Sequence, residues 1–225
     1  MKNKNTFILT IILVSLLFLI TGCTSNITDP PIPDNGLFKG TIIIADGVET
    51  TQDCTPILTI HCEGAAYMRF SGDGEEWTNW IEYSPNYEGF NIANKSYGTI
   101  FGSGTKTVYI QFKDDEGNLS PSDDLAYDTV VYNMPELSKL EIDPSSAEVN
   151  VNGKKTFSVT GWSKSKEYEV PLDGEKVTWK ACCDAKVNPI HALSTTYTAP
   201  TSPNTYHIDV YYEGKQKTAM IYVTK

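Results

Sequence analysis

The feature that most constrains the fold is a strict alternation of polar and apolar residues from Thr107 to Phe112. Successive side chains of a strand point to opposite faces, so Val108, Ile110 and Phe112 share one face. Such a half-buried pattern is typical of antiparallel sheets that pack face to face. Beyond the N-terminus no segment has a convincing 3.6-residue apolar period, so helices should be few. The chain is therefore predicted to be all-β.

Short segments of the same kind, separated by Gly-, Asp- and Asn-rich turns, fill two stretches on either side of Met134-Pro135-Glu136. Each stretch has the length and strand number of an immunoglobulin-like sandwich, with Trp179 expected in a core on a central strand. We predict tandem immunoglobulin-like β-sandwich domains over 40–134 and 135–225. The predicted strands are 41–44, 57–60, 67–70, 77–83, 106–112 and 126–132, then 139–142, 147–151, 155–160, 176–180, 205–212 and 217–223.

The first 22 residues have the layout of an export signal rather than of a fold element: Lys2 and Lys4 precede an apolar run that ends at Ile20. The run has about 14 residues, whereas a membrane-spanning helix needs about 20. Its ending, Ile20-Thr21-Gly22-Cys23, resembles the lipobox of bacterial lipoproteins. That resemblance implies cleavage after residue 22 and diacylation of Cys23, which would hold the chain to a membrane. The alternative is an ordinary signal peptide that happens to contain Cys23.

The segment 23–39 contains three prolines and little that could be buried. Pro-rich sequence of this kind extends as a semi-rigid spacer. We therefore predict a lipid-anchored linker here, with globular structure only from residue 40 onward.

The first stretch carries several motifs in a fixed order. Residues 68–74 read Met-Arg-Phe-Ser-Gly-Asp-Gly, and they are followed by Trp77, Trp80 and Tyr83, the strand-like segment 104–114 and Gly117-Asn118. Over residues 40–133 this order resembles an immunoglobulin-like or fibronectin-type-III-like module of exported bacterial proteins.

The second stretch carries Asp143-Pro144, the segment 149–159, Trp179 and the segment 196–200. These pieces resemble a bacterial immunoglobulin-like domain of the invasin and intimin type. Such modules serve as spacers, adhesion stalks and accessory units. The two resemblances therefore imply a non-enzymatic role at the outer membrane or the cell surface.

The chain has 18 basic and 28 acidic residues, a formal net charge of -10 at pH 7. A surface this acidic disfavours contact with nucleic acid or anionic headgroups. We expect no nucleic-acid partner, a membrane contact made through the lipid on Cys23, and a protein or glycan partner that the sequence does not identify.

Catalytic motifs are absent from the sequence. The three histidines, His61, His191 and His207, are not embedded in a nucleophile motif, and the acids cluster in predicted turns rather than as a facing pair. The acid-rich segment 114–118 lacks the spacing of an EF-hand and is predicted to be a turn, with a calcium loop as the alternative. We predict no enzyme, no catalytic residue and no cofactor.

Four cysteines follow Cys23. If one strand joined Cys54 to Cys62, their separation would far exceed that of a disulfide, and they could pair only if the chain turned between them. The adjacent Cys182 and Cys183 could form only a strained ring. None of the four has a recognisable zinc-ligand spacing, so we expect free, partly buried thiols and no metal site.

Aromatic residues between 77 and 97 are the best candidates for recognition. On an alternating strand Trp77 and Trp80 would point to opposite faces, so core packing is expected for one of them. The connection 84–103 is long, and loops carry function more often than core positions do. Tyr87, Phe90 and Tyr97 are therefore predicted to bind a ligand, either sugar rings or a protein surface. The leading hypothesis is an envelope binding module and spacer, and the alternative is an accessory carbohydrate-binding lipoprotein of a polysaccharide-uptake system.

Overall fold

The computed structural model describes residues 40–225, which form an all-β fold without any α-helix in that range. One 3-10 turn covers Ala45–Gly47. The predicted signal peptide 1–22, the linker 23–39 and the lipid site at Cys23 lie outside the described residues. Within 40–225, no helix has the length and apolar character needed to cross a membrane.

Residues 40–133, called here the first half, form two sheets. The three-stranded sheet has the order β1-β3-β6, and the five-stranded sheet has the order β2-β8-β7-β4-β5. Pairing is antiparallel except between β2 and β8. The strands are β1 (Thr41–Ile44), β2 (Thr50–Thr51), β3 (Leu58–His61), β4 (Tyr67–Ser71), β5 (Ile81–Glu82), β6 (Asn86–Tyr87), β7 (Gly104–Lys113) and β8 (Ala126–Tyr132).

Residues 134–225, the second half, also form two sheets. One has the order β12-β11-β15-β14 with β9 paired to β11, and the other has the order β10-β17-β16-β13. The strands are β9 (Lys139–Asp143), β10 (Ser146–Asn150), β11 (Lys154–Trp162), β12 (Glu169–Val170), β13 (Thr178–Ala181), β14 (Lys186–Asn188), β15 (Ser194–Thr198), β16 (Asn204–Tyr212) and β17 (Lys215–Thr224).

The connectivity of the second half is that of an immunoglobulin fold. In chain order, β9, β11, β14 and β15 take the places of strands A, B, D and E in one sheet, and β13, β16 and β17 take those of C, F and G in the other. After β9 the chain changes sheets, and β10 pairs with β17 in parallel. The predicted all-β, immunoglobulin-like architecture is confirmed.

Each pair of sheets encloses its own hydrophobic cluster. The predicted alternation of exposed and buried side chains from Thr107 to Phe112 is confirmed, because Val108, Ile110 and Phe112 are each at most 1% exposed. Trp179 is buried as predicted, and its indole Nε1 donates a hydrogen bond to the Ala192 carbonyl at 2.8 Å. The expected central strand is wrong, since β13 lies at the edge of its sheet.

The strand predicted over 77–83 is wrong apart from Ile81–Glu82. The carboxylate of Asp73 accepts hydrogen bonds from the amides of Glu75 and Glu76 at 2.8 and 2.9 Å, which fixes the turn that precedes this segment. Residues 77–80 themselves belong to no strand. Short strands were missed as well: Thr50–Thr51, Asn86–Tyr87, Glu169–Val170, Lys186–Asn188 and Ser194–Thr198.

The two halves of the chain contact each other through the connection between β6 and β7. The ammonium of Lys95 lies 3.0 Å from the Asp173 carboxylate, whose side chain is only 10% exposed. Nearby, the Cys54 thiol donates to the carbonyl of Glu169 at 3.7 Å. Met134, at the boundary, packs against both hydrophobic clusters. The relative placement of the halves is therefore stabilised by contacts beyond the covalent connection.

Candidate binding site

The three aromatic residues predicted to bind a ligand line one cavity of about 250 Å³. Tyr87 is half-buried on β6, Tyr97 is 44% exposed, and Phe90 is only 2% exposed. Phe90 therefore contributes chiefly to the hydrophobic core, whereas the two tyrosines offer the accessible ring surface. The remaining lining residues are Thr78, Asn79, Ile81, Gly89, Asn91 and Asn94.

Aromatic packing holds Tyr87 in place. Its ring stacks on the fully buried ring of Phe70, with centroids 5.0 Å apart and planes 11° from parallel. Phe90 packs against the same Phe70 ring at 5.7 Å. The Tyr87 hydroxyl oxygen lies close to the Gly89 backbone. A Cβ at Gly89 would be 2.3 Å from that oxygen, so any residue other than glycine would clash with the Tyr87 ring. Tyr87 is thus a pre-positioned, half-buried ring.

The backbone also fixes the position of Tyr97, another residue of the cavity lining. Its carbonyl accepts a hydrogen bond from the Gly72 amide at 2.7 Å, and the next residue, Gly98, has φ of +76°. A Cβ at Gly98 would lie 2.1 Å from the carboxyl carbon of Asp73. Only glycine fits this close approach, so the turn at Asp73 and the loop that carries Tyr97 depend on each other.

Asparagine side chains supply the polar part of the lining. The Asn91 and Asn94 side-chain oxygens accept backbone hydrogen bonds from Ala93 and Ser96 at 2.9 and 3.0 Å, which orients both amides. Among the described residues, none accepts a hydrogen bond from the amide nitrogen of Asn94 or Asn79. The Asn91 amide nitrogen donates to the Cys54 sulfur at 3.5 Å, so Asn94 is the oriented amide with a free donor. An aromatic face beside such a donor is suited to a ligand with apolar faces and hydroxyl or carbonyl groups. The sequence analysis missed these asparagines because their spacing carries no motif.

Trp77 and Trp80 lie on the same side of the five-stranded sheet, contrary to the prediction that they point to opposite faces. Both are partly exposed, and the Arg69 guanidinium lies between them, 4.8 Å from the Trp77 ring centre and 4.6 Å from that of Trp80. Lys113 continues the row at 4.8 Å from Trp80 and 4.5 Å from Tyr67. The prediction that one of the tryptophans packs in the core is therefore wrong. The alternating cations and aromatic rings instead form a row on the outer surface of β4 and β7.

The four cysteines of the described chain are free. Burial raises the pKa of the Cys54 thiol to about 12 and that of Cys62 to about 11. Both thiols therefore stay protonated at neutral pH and are poor nucleophiles. Cys182 is partly buried and Cys183 is exposed at the turn after β13.

The acid-rich segment 114–118 is a turn, as predicted. Both carboxylate oxygens of Asp114 are engaged by Asn118, one by its backbone amide and one by its side-chain amide, each at 2.7 Å. No group of three or more His, Cys, Asp or Glu side chains within residues 40–225 is arranged to hold a metal ion.

Two of the histidines contact neighbouring groups. His191 lies 2.8 Å from the Val177 carbonyl, and His207 lies 3.6 Å from the Asp209 carboxylate.

No known protein family and no curated protein matches the chain in sequence. In structure it is similar to domains 4 and 5 of the S-layer protein SbsC, with 12% identity and a TM-score of 0.35, covering 84% of this chain and 99% of that one. It is also similar to the adhesin InvE of Yersinia pseudotuberculosis (13%, TM-score 0.32, 83% and 59% covered) and to a glycosyl hydrolase family 2 member from Bacteroides cellulosilyticus (9%, TM-score 0.34, 79% and 24% covered). At these TM-scores the similarities carry no argument about function.

Proposed function

We propose that the chain is a non-enzymatic lipoprotein of the cell envelope or cell surface. In this proposal the lipid on Cys23 holds it to a membrane, and two immunoglobulin-like domains, 40–134 and 135–225, serve as a binding or adhesion module and a spacer. The observation that carries the proposal is that the inward side chains of each half pack into a hydrophobic cluster. A ligand or partner would therefore bind at surface cavities or at the connections between strands.

The cavity at Tyr87 favours a second candidate function, an accessory carbohydrate-binding protein of a polysaccharide-uptake system. Two accessible tyrosine rings and two asparagine amide nitrogens without partners in the described chain surround about 250 Å³. Ligand sites of this kind combine apolar and aromatic lining with a few placed polar groups. A sugar ring presents an apolar face and a rim of hydroxyls, and it matches both parts of the lining.

Replacing Cys23 by alanine is expected to abolish the anchor. Two acyl chains give stable membrane attachment, so the mature protein should carry both chains on residue 23 and the variant should carry none. Mass spectrometry of the mature N-terminus measures the acylation directly. An unmodified Cys23 in the membrane-associated protein would overturn the anchoring part of the proposal.

The glycan hypothesis is tested with a double variant, Tyr87→Leu with Tyr97→Asn. Leucine keeps apolar contact with Phe70, and asparagine tolerates the positive φ of 53° at Tyr97. On a glycan array, we expect the full-length protein in detergent to retain at least one glycan and the double variant to bind it at least tenfold more weakly.

The matched control is Tyr127→Leu, which removes a tyrosine that is 61% exposed and does not line this cavity. It should leave retention unchanged. Absence of any retained glycan, or retention that survives the double variant, would contradict the carbohydrate-binding hypothesis at this cavity while leaving the anchored module unaffected.

A further inference from the structure

A groove in the second half lies where the two sheets of the sandwich meet. Two cavities of about 380 and 490 Å³ share Glu141 and Lys217 as lining residues, so they adjoin. Their walls come from β9, which pairs only with β11, and from the first residues of β17, which belongs to the opposite sheet. Both volumes fall within the range of about 300–1,000 Å³ typical of ligand pockets.

Lysines dominate the charge of the larger cavity. Lys139, Lys215 and Lys217 line it together with a single acid, Glu141. The Glu141 carboxylate is already engaged, because it pairs with Lys166 and lies 3.7 Å from Lys139. These partners, Lys166 first, lower the pKa of Glu141. Within residues 40–225, neither Lys215 nor Lys217 has a carboxylate within 4 Å, so neither ammonium group of the groove is held in an ion pair, and Lys217 acts on Glu141 only through its charge at a longer distance.

The charge of the chain is divided unequally between its halves. Residues 40–133 contain 15 acidic and 4 basic residues, a formal charge of -11, whereas residues 134–225 contain 11 of each and are neutral. A polyanion would be repelled by the first half. The groove is therefore a basic site in the half of the protein that a polyanion can approach.

The smaller cavity adds an aromatic ring, hydroxyls and a second acid, Asp143, so the excess of positive charge lies in the larger cavity. Trp162 lines it beside Thr160 and Ser145, and the Trp162 side chain is partly exposed. Its indole nitrogen is buried without a hydrogen-bond partner among the described residues. Lys166, in the loop after β11, lies 5.5 Å from the centre of the same ring. A ring beside hydroxyls and ammonium groups is suited to a sugar that carries negative charge.

We propose that this groove binds an anionic glycan chain, whose carboxylate or phosphate groups pair with Lys215 and Lys217 while a sugar ring packs against Trp162. The site is separate from the Tyr87 cavity and shares no lining residue with it. Lysine contacts supply charge without strict geometry, so the groove selects for the charge of the chain more than for one sugar.

The test measures binding of the full-length protein in detergent by calorimetry to three oligomers of equal length: a polyuronate, a glycan of phosphate-linked sugar rings and a neutral glucan. We expect at least one charged oligomer to bind, its affinity to fall as salt is raised, and the neutral glucan to bind at least tenfold more weakly. Preference for the polyuronate or for the phosphate-linked glycan identifies carboxylate or phosphate as the recognised group.

The double variant Lys215→Gln with Lys217→Gln should weaken charged-oligomer binding at least tenfold. Its matched control is Lys154→Gln with Lys155→Gln, which removes the same charge from exposed positions of β11 outside both cavities and should have little effect. Trp162→Leu should weaken binding without changing its salt dependence. Tyr87→Leu with Tyr97→Asn should bind charged oligomers normally, which separates this site from the one in the first half.

Three results would overturn the proposal: neither charged oligomer binds, the neutral glucan binds equally well, or the two double lysine variants lose affinity to the same extent. The last result would show a diffuse charge effect. The circular dichroism spectrum and thermal midpoint of each variant identify any loss of affinity that comes from unfolding. None of these results bears on lipid attachment at Cys23.

Discussion

Replacing Trp179 by alanine is expected to lower the free energy of unfolding by about 3–5 kcal/mol, the usual cost of removing a large aromatic side chain from a core. Trp179 is 1% exposed, and its indole nitrogen donates to the Ala192 carbonyl at 2.8 Å. The substitution would open a cavity between the two sheets of the second half and leave that carbonyl without its partner. Chemical denaturation followed by circular dichroism measures the loss.

The matched control is Trp77→Ala. Trp77 is partly exposed, and it stacks against Arg69 on the outer surface of the first half. We expect a loss of about 1 kcal/mol or less there, in line with an exposed cation–π contact. Equal losses for the two tryptophans would contradict the assignment of Trp179 as the central core residue of the second half.

Replacing Phe70 by alanine is expected to cost a similar 3–5 kcal/mol and also to impair the Tyr87 cavity. Phe70 is fully buried and supports both Tyr87 and Phe90 through ring contacts. Without it, the Tyr87 ring loses the surface on which it stacks. The stability loss is measured by denaturation, and the effect on the cavity by retention of whichever glycan the full-length protein binds.

Phe157→Ala separates the two effects. Phe157 is also fully buried, but it lies in the cluster of the second half. We expect comparable destabilisation with glycan retention intact under conditions in which both variants remain folded. Retention lost equally in the two variants would show that Phe70 acts through global stability and not through the position of Tyr87.

The sequence was most informative where burial imposes a period of two. The strands 41–44 and 126–132 were predicted at their observed bounds, and the alternation around Val108 and Ile110 gave the correct buried face. Two-residue strands such as Thr50–Thr51 were missed because so short a segment carries no period. Trp77 and Trp80 were misplaced because residues 77–80 are not a strand, so the alternation of strand side chains does not apply to them.

The candidate sites were predictable to a lesser extent. The loop aromatics were found because Tyr87 and Tyr97 are close in sequence. The basic groove was not found, because Lys139 is far from Lys215 and Lys217 in sequence and the change of sheets after β9 brings them together. No period or motif in the sequence links Lys139 with Lys215 and Lys217. Their proximity could therefore not be predicted from one sequence.

The ion pair between Lys95 and Asp173 has a structural consequence. Lys95 lies two residues before Tyr97, in the connection whose Asn94 also lines the cavity. The pair therefore ties the connection that forms part of that cavity to the second half of the chain, so the cavity lining depends on residues of both halves.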